Sequence, residues 1–240
     1  MTKVEAIAKV MEDNGGTASL NYIYENITKY YPTANNSEKW REGLRGVLYR
    51  EIRNNRRFKK IGLSIYAIDN YKEEDKPKAN DLIRMHSYIE GICIELGNIN
   101  KYHTYTADPS AEYRDNLHLQ DFVSMRELPH FTYADILYHA RNIDVIWLNM
   151  KGHAFPQKVF EIVDSINTLN GAFNRSLQLQ NFVTEFYIVA PEKHHEKYLQ
   201  TLNMEIYLPR KDRFKFINYD DIQNLYEATV KKDKLESMLF

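Results

Sequence analysis

The stretch Arg141–Asn181, RNIDVIWLNMKGHAFPQKVFEIVDSINTLNGAFNRSLQLQN, decides the fold of this chain. Two apolar runs are separated by a short loop and followed by a helical pattern, which predicts strand, loop, strand and helix. Each run contains one carboxylate, Asp144 in the first and Glu161 in the second. A carboxylate in a buried run is costly unless a partner or an ion compensates it. If the strands are neighbours, the two carboxylates converge at one end of the sheet. The pair then predicts a divalent metal site, although an edge position or a salt bridge is the commoner role of either residue alone.

The same stretch carries a resemblance to a known family. The order IDVIW at 143–147, a loop, FEIVDS at 160–165 and a helix containing an arginine resembles the core of the PD-(D/E)XK nuclease superfamily, particularly its restriction-endonuclease-like members. The resemblance implies that Asp144 and Glu161 are catalytic ligands of Mg²⁺ and that the residue two positions after the glutamate completes the site. That residue is Val163, which can neither bind metal nor position water. Asp164, Ser165, Asn167 or an acidic residue of the preceding helix would have to replace it, or the activity is lost.

The preceding helix is predicted from Leu82 to Gly97, with apolar residues at helical spacing. The nuclease family often begins with such a helix, which delivers a glutamate to the metal. On this resemblance Glu90 is the third catalytic candidate. For Glu90 and Glu95, however, plain exposure on the helix surface is the expectation that their residue type favours.

Residues 1–70 form a separate pattern. Apolar residues recur at helical spacing in three segments, the first before Asn14-Gly15-Gly16, the second from Ser19 and the third from about Ser37. Two short apolar runs around Gly62 then predict a hairpin. Three helices followed by a hairpin is the order of a winged helix-turn-helix, and the segment is similar to the HARE-type winged-helix domains of some bacterial restriction proteins.

Positive charge is concentrated on the third helix and the hairpin. Residues 36–60 hold nine Lys or Arg against three Glu, a local balance of +6. Lys and Arg contacts to phosphates supply most non-specific affinity for DNA, and the third helix of such a domain lies in the major groove. The competing interpretation is an ordinary solvated helix face. The candidate DNA-binding residues here are Lys39, Arg41, Arg45, Arg53, Arg56, Arg57, Lys59 and Lys60. Arg175, on the helix after Glu161, is a further candidate for a DNA phosphate, with a salt bridge as the alternative.

The remaining pattern completes the domain prediction. Residues 71–81 are polar and charged and read as a linker. Residues 82–240 alternate helices with strands, which predicts a helix-covered mixed sheet of the α/β class, as the restriction-endonuclease-like resemblance implies. Residues 110–140 are an excursion that fits either DNA contact or a dimer interface. The adjacent His194 and His195 are expected at the surface.

Composition excludes several alternatives. The 240-residue chain is 43% hydrophobic, which is typical of a globular protein, and its one cysteine, Cys93, excludes an internal disulfide or a cysteine-rich zinc site. No Gly-rich phosphate loop, HExxH, CxxC or GxSxG motif is present. No signal peptide or membrane-spanning run is apparent, so a cytoplasmic protein without a membrane partner is expected.

Two functions therefore compete. The first is a Mg²⁺-dependent, type II restriction-like endonuclease that acts on double-stranded DNA, probes it through the winged helix and functions as a homodimer. The second is a regulatory or structural DNA-binding protein in which the nuclease fold survives without catalysis. Val163 is the residue that separates the two hypotheses.

Overall fold

The computed structural model describes residues 1–77 and 81–239. Within the predicted linker, residues 78–80 lie outside the described residues. The protein is a mixed α/β structure with a mixed sheet. In the ranges that are described, no helix has both the length and the apolar character needed to cross a membrane.

The N-terminal part contains three helices and three short strands. The first helix, α1, is capped by Thr2 and Glu5 in a reciprocal capping box and ends where Gly15 and Gly16 adopt φ values of +73° and +103°. Glycine takes these values without a side-chain clash. The elements of the N-terminal part are α1 (Lys3–Asp13), β1 (Thr17–Ser19), α2 (Leu20–Asn26), α3 (Trp40–Arg53), β2 (Phe58–Lys60) and β3 (Ile65–Ile68). Strand β3 lies between β1 and β2 and is antiparallel to both. The predicted helices and hairpin are present, and β1 is an additional strand.

The C-terminal part is built on a five-stranded sheet. Its elements are α4 (Leu82–Ile99), β4 (Tyr102–Thr106), β5 (Glu112–Arg114), β6 (Leu117–His118), α5 (Ala134–Ala140), β7 (Val145–Asn149), β8 (Pro156–Ile162), α6 (Leu169–Leu177), β9 (Glu185–Ala190), α7 (His195–Leu202), β10 (Phe214–Asn218) and α8 (Tyr219–Leu239). The strand order is β4-β7-β8-β9-β10. The pairs β4/β7 and β7/β8 are antiparallel, whereas β8/β9 and β9/β10 are parallel.

Strand alternation divides the core between the two faces of this sheet. In β7, Val145 and Trp147 pack into a cluster with α4 and α8, whereas Ile146 and Leu148 pack into a second cluster with α5, α6 and α7. The indole of Trp147 donates a hydrogen bond to the backbone oxygen of Cys93 at 3.0 Å. Helix α4 is therefore held directly against the strand that Asp144 precedes.

The N-terminal sheet shares the first of these clusters. Ile61 and Ile65 pack into the same apolar core as α4 and α8. At this contact the buried Glu95 accepts hydrogen bonds from the backbone N–H of Ser64 at 2.9 Å, from the Tyr113 hydroxyl at 3.0 Å and from the Tyr226 hydroxyl at 2.7 Å. The expectation that Glu95 is exposed is wrong, because its side chain is 1% exposed. Its partners come from elements that no helix pattern reveals.

Close packing at this point depends on a glycine. A Cβ atom at Gly91 would lie 2.3 Å from the Tyr113 ring, so only glycine admits this ring against α4. The ring is fully buried and its hydroxyl reaches Glu95, one turn further along the helix. Gly91 thus permits the Glu95 hydrogen-bond network.

Candidate metal centre and nucleic-acid surface

The candidate centre lies where β7 begins and β8 ends. Asp144 immediately precedes β7, and its Oδ2 accepts a hydrogen bond from the backbone N–H of Ile162 at 2.7 Å. Val145 pairs with Phe160 in these antiparallel strands. Asp144, just before Val145, and Glu161, just after Phe160, therefore lie at the same end of the strand pair. The two strands are neighbours, which was the condition for the two carboxylates to converge, and the backbone amide of Ile162 in β8 fixes the carboxylate of Asp144 before β7.

Helix α4 supplies two more polar groups to this strand end. His86 and Glu90 lie one helical turn apart, and His86 Nε2 is 3.9 Å from Glu90 Oε1 and 3.9 Å from Asp144 Oδ2. One potential ligand atom from each of the three residues lies within 4.8 Å of the other two. The expectation that Glu90 is exposed is wrong, since its side chain is only 2% exposed. The fold therefore brings the candidate Glu90 to the candidate Asp144, with His86 beside both.

The carboxylates of the group require compensating positive charge. Burial and the neighbouring charge of Asp144 raise the pKa of Glu90 well above its ordinary value, and burial also raises the pKa of Asp144. Burial alone would lower the pKa of His86. The hydrogen bond to Asp164 and the charges of Glu90 and Asp144 outweigh it and raise that pKa to about 9. Buried carboxylates that repel one another ionise readily only when positive charge compensates them.

Glu161 is paired with Arg175 and is not part of the group formed by His86, Glu90 and Asp144. Arg175 Nε donates to Glu161 Oε1 at 2.8 Å and to Oε2 at 3.1 Å, and Arg175 Nη2 also pairs with Oε2. Burial and the charge of Asp144 raise the pKa of Glu161, while Arg175 opposes the rise. Glu161 is fully buried, and Arg175 forms the salt bridge that the sequence left as an alternative to phosphate contact. Of the residues that the structure describes, the group with metal-ligand spacing is His86, Glu90 and Asp144, without Glu161.

Val163 and Asp164, which follow Glu161 in the sequence, lie in an apolar and a polar environment, respectively. Val163 is 1% exposed and packs among apolar residues of α6 and β9, so its side chain takes no part in the polar centre. Asp164 instead accepts a hydrogen bond from the Tyr219 hydroxyl at 2.6 Å and lies 2.6 Å from His86 Nδ1. Two of the candidates to replace Val163 therefore reach the centre, Glu90 from the preceding helix and Asp164, which contacts His86.

One histidine expected at the surface also reaches this region. His194 is 6% exposed, and its Nε2 lies 3.1 Å from the backbone oxygen of Asp164. The prediction of a surface position is wrong for His194, because α7 starts only at His195 and the preceding 3₁₀ turn directs His194 inward.

The centre opens into a cleft of about 480 Å³. Its lining is mostly polar or charged and consists of Arg84, His86, Ser87, Glu90, Asp108, Ala111, Glu112 and Asp164. The negative charge of Asp108 contributes to the raised pKa of Glu90. A phosphate could approach such an acidic cleft only together with positive charge, which is consistent with a site that binds metal ions.

The basic residues of the N-terminal part form a separate surface. Lys39, Arg41, Arg45, Arg53, Arg56 and Arg57 are exposed along α3 and the turn after it. The guanidinium of Arg41 lies over the rings of Tyr24 and Trp40, at 5.4 and 5.3 Å from their centroids. Lys59 and Lys60 are turned inward, since Lys59 Nζ donates to the Tyr71 backbone oxygen at 2.6 Å and Lys60 pairs with Asp233.

His86 is the residue of the centre that sequence analysis did not assign. It lies four positions before Glu90, a spacing that places both side chains on one face of a helix. This spacing is the available sequence signal, but many helices carry such pairs without a metal. The contact with Asp144 gives the pair its significance here.

Comparison with known proteins identifies the family to which the chain belongs. A family profile described as the type II restriction enzyme NmeDI C-terminal domain matches residues 67–239, which includes α4, the five-stranded sheet and every residue of the candidate centre. No curated protein matches the chain. No solved structure matches it either. The matched range covers well over half of the sequence, and the chain therefore belongs to the type II restriction enzyme NmeDI C-terminal domain family.

Proposed function

We propose that this protein is a metal-dependent endonuclease of restriction type that hydrolyses phosphodiester bonds of double-stranded DNA in the cytoplasm. One observation carries the proposal: the fold brings Glu90 of α4 against Asp144 at the start of β7, in a cleft of a chain that belongs to a restriction-enzyme family. Restriction-enzyme membership supports DNA as the substrate. The convergent carboxylates support metal-assisted hydrolysis.

The topology supports a PD-(D/E)XK-like assignment of the C-terminal part. Helix α4 is followed by an antiparallel β4-β7-β8 meander, by α6 and by β9 parallel to β8. Asp144 lies before the second strand of the meander and Glu161 near the end of the third, which supports assigning them to the two acidic positions that the resemblance implies. We accordingly assign residues 82–240 to the nuclease domain, residues 71–81 to the connection and residues 1–70 to the DNA reader.

The residues at the centre fit a divalent cation such as Mg²⁺. Asp144 and Glu90 offer carboxylate oxygens, and the raised pKa values of both show how unfavourable their charges are without one. When bound, the cation would polarise the scissile phosphate and acidify a water molecule. The Ile162 amide orients Asp144, so that this ligand does not have to rearrange. Glu161 could join these ligands only by releasing Arg175, whose guanidinium would then be available to a DNA phosphate.

The N-terminal part is proposed to be a winged helix that positions DNA. Helix α3 exposes its arginine residues while Leu44 and Leu48 pack inward, and the β2–β3 hairpin follows it. Phosphate contacts from α3 would hold the duplex. The packing of Ile61 and Ile65 against α4 would keep α3 and its bound DNA in a fixed position relative to the catalytic cleft. We further propose that the active form is a homodimer, because cleavage of both strands favours two-fold symmetry.

The proposal is tested by cleavage of plasmid and genomic DNA, both methylated and unmethylated, with Mg²⁺ or Mn²⁺. The wild-type protein should give discrete fragments, and Glu90→Gln and Asp144→Asn should give none. Glu196→Gln and Asp212→Asn alter exposed acids elsewhere on the chain and should cut as the wild type does.

A second candidate function is DNA binding without cleavage. It is favoured by Val163, which is buried in the apolar core, and by the engagement of Glu161 with Arg175. This candidate replaces the first if no DNA is cut under any of these conditions while the protein still retards duplex DNA with a steep dependence on salt.

A further inference from the structure

His86 uses its two ring nitrogens differently. Nδ1 lies 2.6 Å from Asp164 Oδ2, a short hydrogen-bond distance. Nε2 faces Glu90 Oε1 and Asp144 Oδ2 at 3.9 Å each, too far for a hydrogen bond to either. One side of the imidazole is therefore fixed by a carboxylate, and the other side points at two carboxylates that it does not touch.

Asp164 is itself held in place to receive the imidazole. The hydroxyl of Tyr219, at the start of α8, donates to Asp164 Oδ1 at 2.6 Å, which leaves Oδ2 for His86. The backbone oxygen of Asp164 lies 3.1 Å from Nε2 of the buried His194. A carboxylate fixed in this way accepts the proton of Nδ1, so that Nε2 faces the cleft as the nitrogen from which a metal ion would displace a proton.

Glu90 provides independent evidence that something binds between these groups. Its side chain is 2% exposed, and the ion-pair contact that its carboxylate makes in the described part of the chain is with His86 Nε2 at 3.9 Å, beyond hydrogen-bond distance. Buried carboxylates are normally paired or bound to a metal. With ligand bonds of about 2.1 Å, two neighbouring donors on one ion lie about 3.0 Å apart in an octahedral arrangement and about 3.4 Å apart in a tetrahedral one. The spacing of 3.9 Å between His86 Nε2 and each carboxylate oxygen exceeds these values by less than about 1 Å, so small side-chain shifts would bring all three donors onto one ion.

We propose that His86 Nε2 is a ligand of the metal ion and that Asp164 is the positioning residue that orients it. The donor set then contains one imidazole nitrogen beside the oxygens of Glu90 and Asp144. Mg²⁺ strongly prefers oxygen ligands, whereas first-row transition ions accept imidazole. The site consequently selects an ion such as Mn²⁺ over Mg²⁺. This inference rests on the metal centre of the proposed function and specifies which ion that centre holds.

The test measures ion binding by the full chain in the absence of DNA. Mn²⁺ affinity is followed by the electron paramagnetic resonance signal of the free ion, and Mg²⁺ affinity by its competition with Mn²⁺. The wild type should bind Mn²⁺ more tightly than Mg²⁺. His86→Ala should weaken Mn²⁺ binding by at least tenfold and reduce the Mn²⁺/Mg²⁺ preference. Asp164→Asn should weaken Mn²⁺ binding by roughly 10- to 100-fold, the usual effect of losing such an orienting partner.

Two further variants separate ligation from folding. His86→Asp replaces the nitrogen donor with oxygen and should retain Mg²⁺ binding while it loses the preference for Mn²⁺, a change of selectivity that a purely structural histidine would not cause. His153→Ala removes an exposed histidine from the β7–β8 turn and should bind both ions as the wild type does. Circular dichroism checks that each variant is folded.

The outcomes distinguish this inference from the nuclease proposal. If the wild type cuts DNA while folded His86→Ala and His86→Asp keep its Mn²⁺ affinity and selectivity, His86 is not a ligand and the inference is overturned. If Mn²⁺ binds with the predicted dependence on His86 but no DNA is cut, the metal site is supported and the nuclease proposal fails.

Discussion

Replacing Glu95 with alanine removes the acceptor at the contact between the N-terminal sheet and α4. The hydroxyls of Tyr113 and Tyr226 both donate to Glu95 Oε1, and these two residues are 0% and 4% exposed. Each buried hydroxyl left without an acceptor costs about 1–3 kcal/mol, and the lost methylene adds about 0.8 kcal/mol. The Ser64 amide is only half-buried, so water can replace its acceptor. The free energy of unfolding should therefore fall by about 3–7 kcal/mol.

This loss is large enough to measure by thermal unfolding. For a chain of this size, 1 kcal/mol corresponds to about 2–4 °C, so the midpoint for Glu95→Ala should fall by roughly 6–28 °C. Glu95→Gln keeps the volume and one oxygen acceptor and should cost only about 1–2 kcal/mol. The exposed Glu196→Ala is the matched control and should unfold within about 0.5 kcal/mol of the wild type.

A double-mutant cycle assigns the loss to the network. Tyr226→Phe removes one of the donors, so its effect and that of Glu95→Ala should be less than additive. Hydrogen exchange at the Ser64 amide should quicken in Glu95→Ala, because that amide loses its acceptor. The reasoning is refuted if Glu95→Ala unfolds at the same temperature as Glu196→Ala, or if its effect and that of Tyr226→Phe simply add.

Three other predictions concern the Glu161–Arg175 pair, helix α3 and the buried carboxyl groups of the centre. Arg175→Ala leaves the carboxylate of the fully buried Glu161 without its cation and should destabilise the protein by about 3 kcal/mol in denaturant unfolding, whereas an unchanged midpoint would show that the pair contributes nothing. Arg45→Ala, on the exposed side of α3, should weaken duplex binding for all sequences alike and reduce the slope of log K against log salt by about 1, and an unchanged slope would remove α3 from the DNA surface. The third prediction concerns pH and is tested with metal chelated: the free energy of unfolding should fall as the pH rises above the ordinary carboxyl range. Glu90 and the other buried carboxyl groups of the centre have raised pKa values, so the folded protein binds more protons than the unfolded one. The raised pKa of His86 adds a loss of the same sign between about 6.5 and 9, and Glu90→Gln should flatten the first part of the profile, so a profile that rises over this range would contradict the assignment.

The sequence predicted the framework well because apolar periodicity determines it. The strand, loop, strand and helix predicted within residues 141–181 are present as β7, β8 and α6. Asp144 was singled out because an acid in an apolar strand pattern is unusual, and Glu90 because the family resemblance implies a glutamate on the preceding helix. Their convergence depends on α4 packing against β7 through Trp147, which the patterns allowed but did not specify.

The remaining features depend on tertiary contacts between distant segments. Strand β1 is three residues long and exists because Thr17–Ser19 pair with β3. Glu95 looks like a surface glutamate until the Ser64 amide and two tyrosines close around it. In the same way, His86 gains its significance only when Asp164 lies on one side of its ring and Asp144 on the other.

The central claim is that Glu90 and Asp144 act together in one metal-dependent centre. Its most direct test is the single-turnover rate of DNA cleavage by the wild type, by Glu90→Gln, by Asp144→Asn and by the double variant, at saturating Mn²⁺ and again at saturating Mg²⁺. Groups that act as a unit are strongly non-additive, so each single variant should lose nearly all activity and the double variant should lose little more. If the single losses multiply in the double variant, or if either single variant cuts at the wild-type rate, the two residues do not form one catalytic centre.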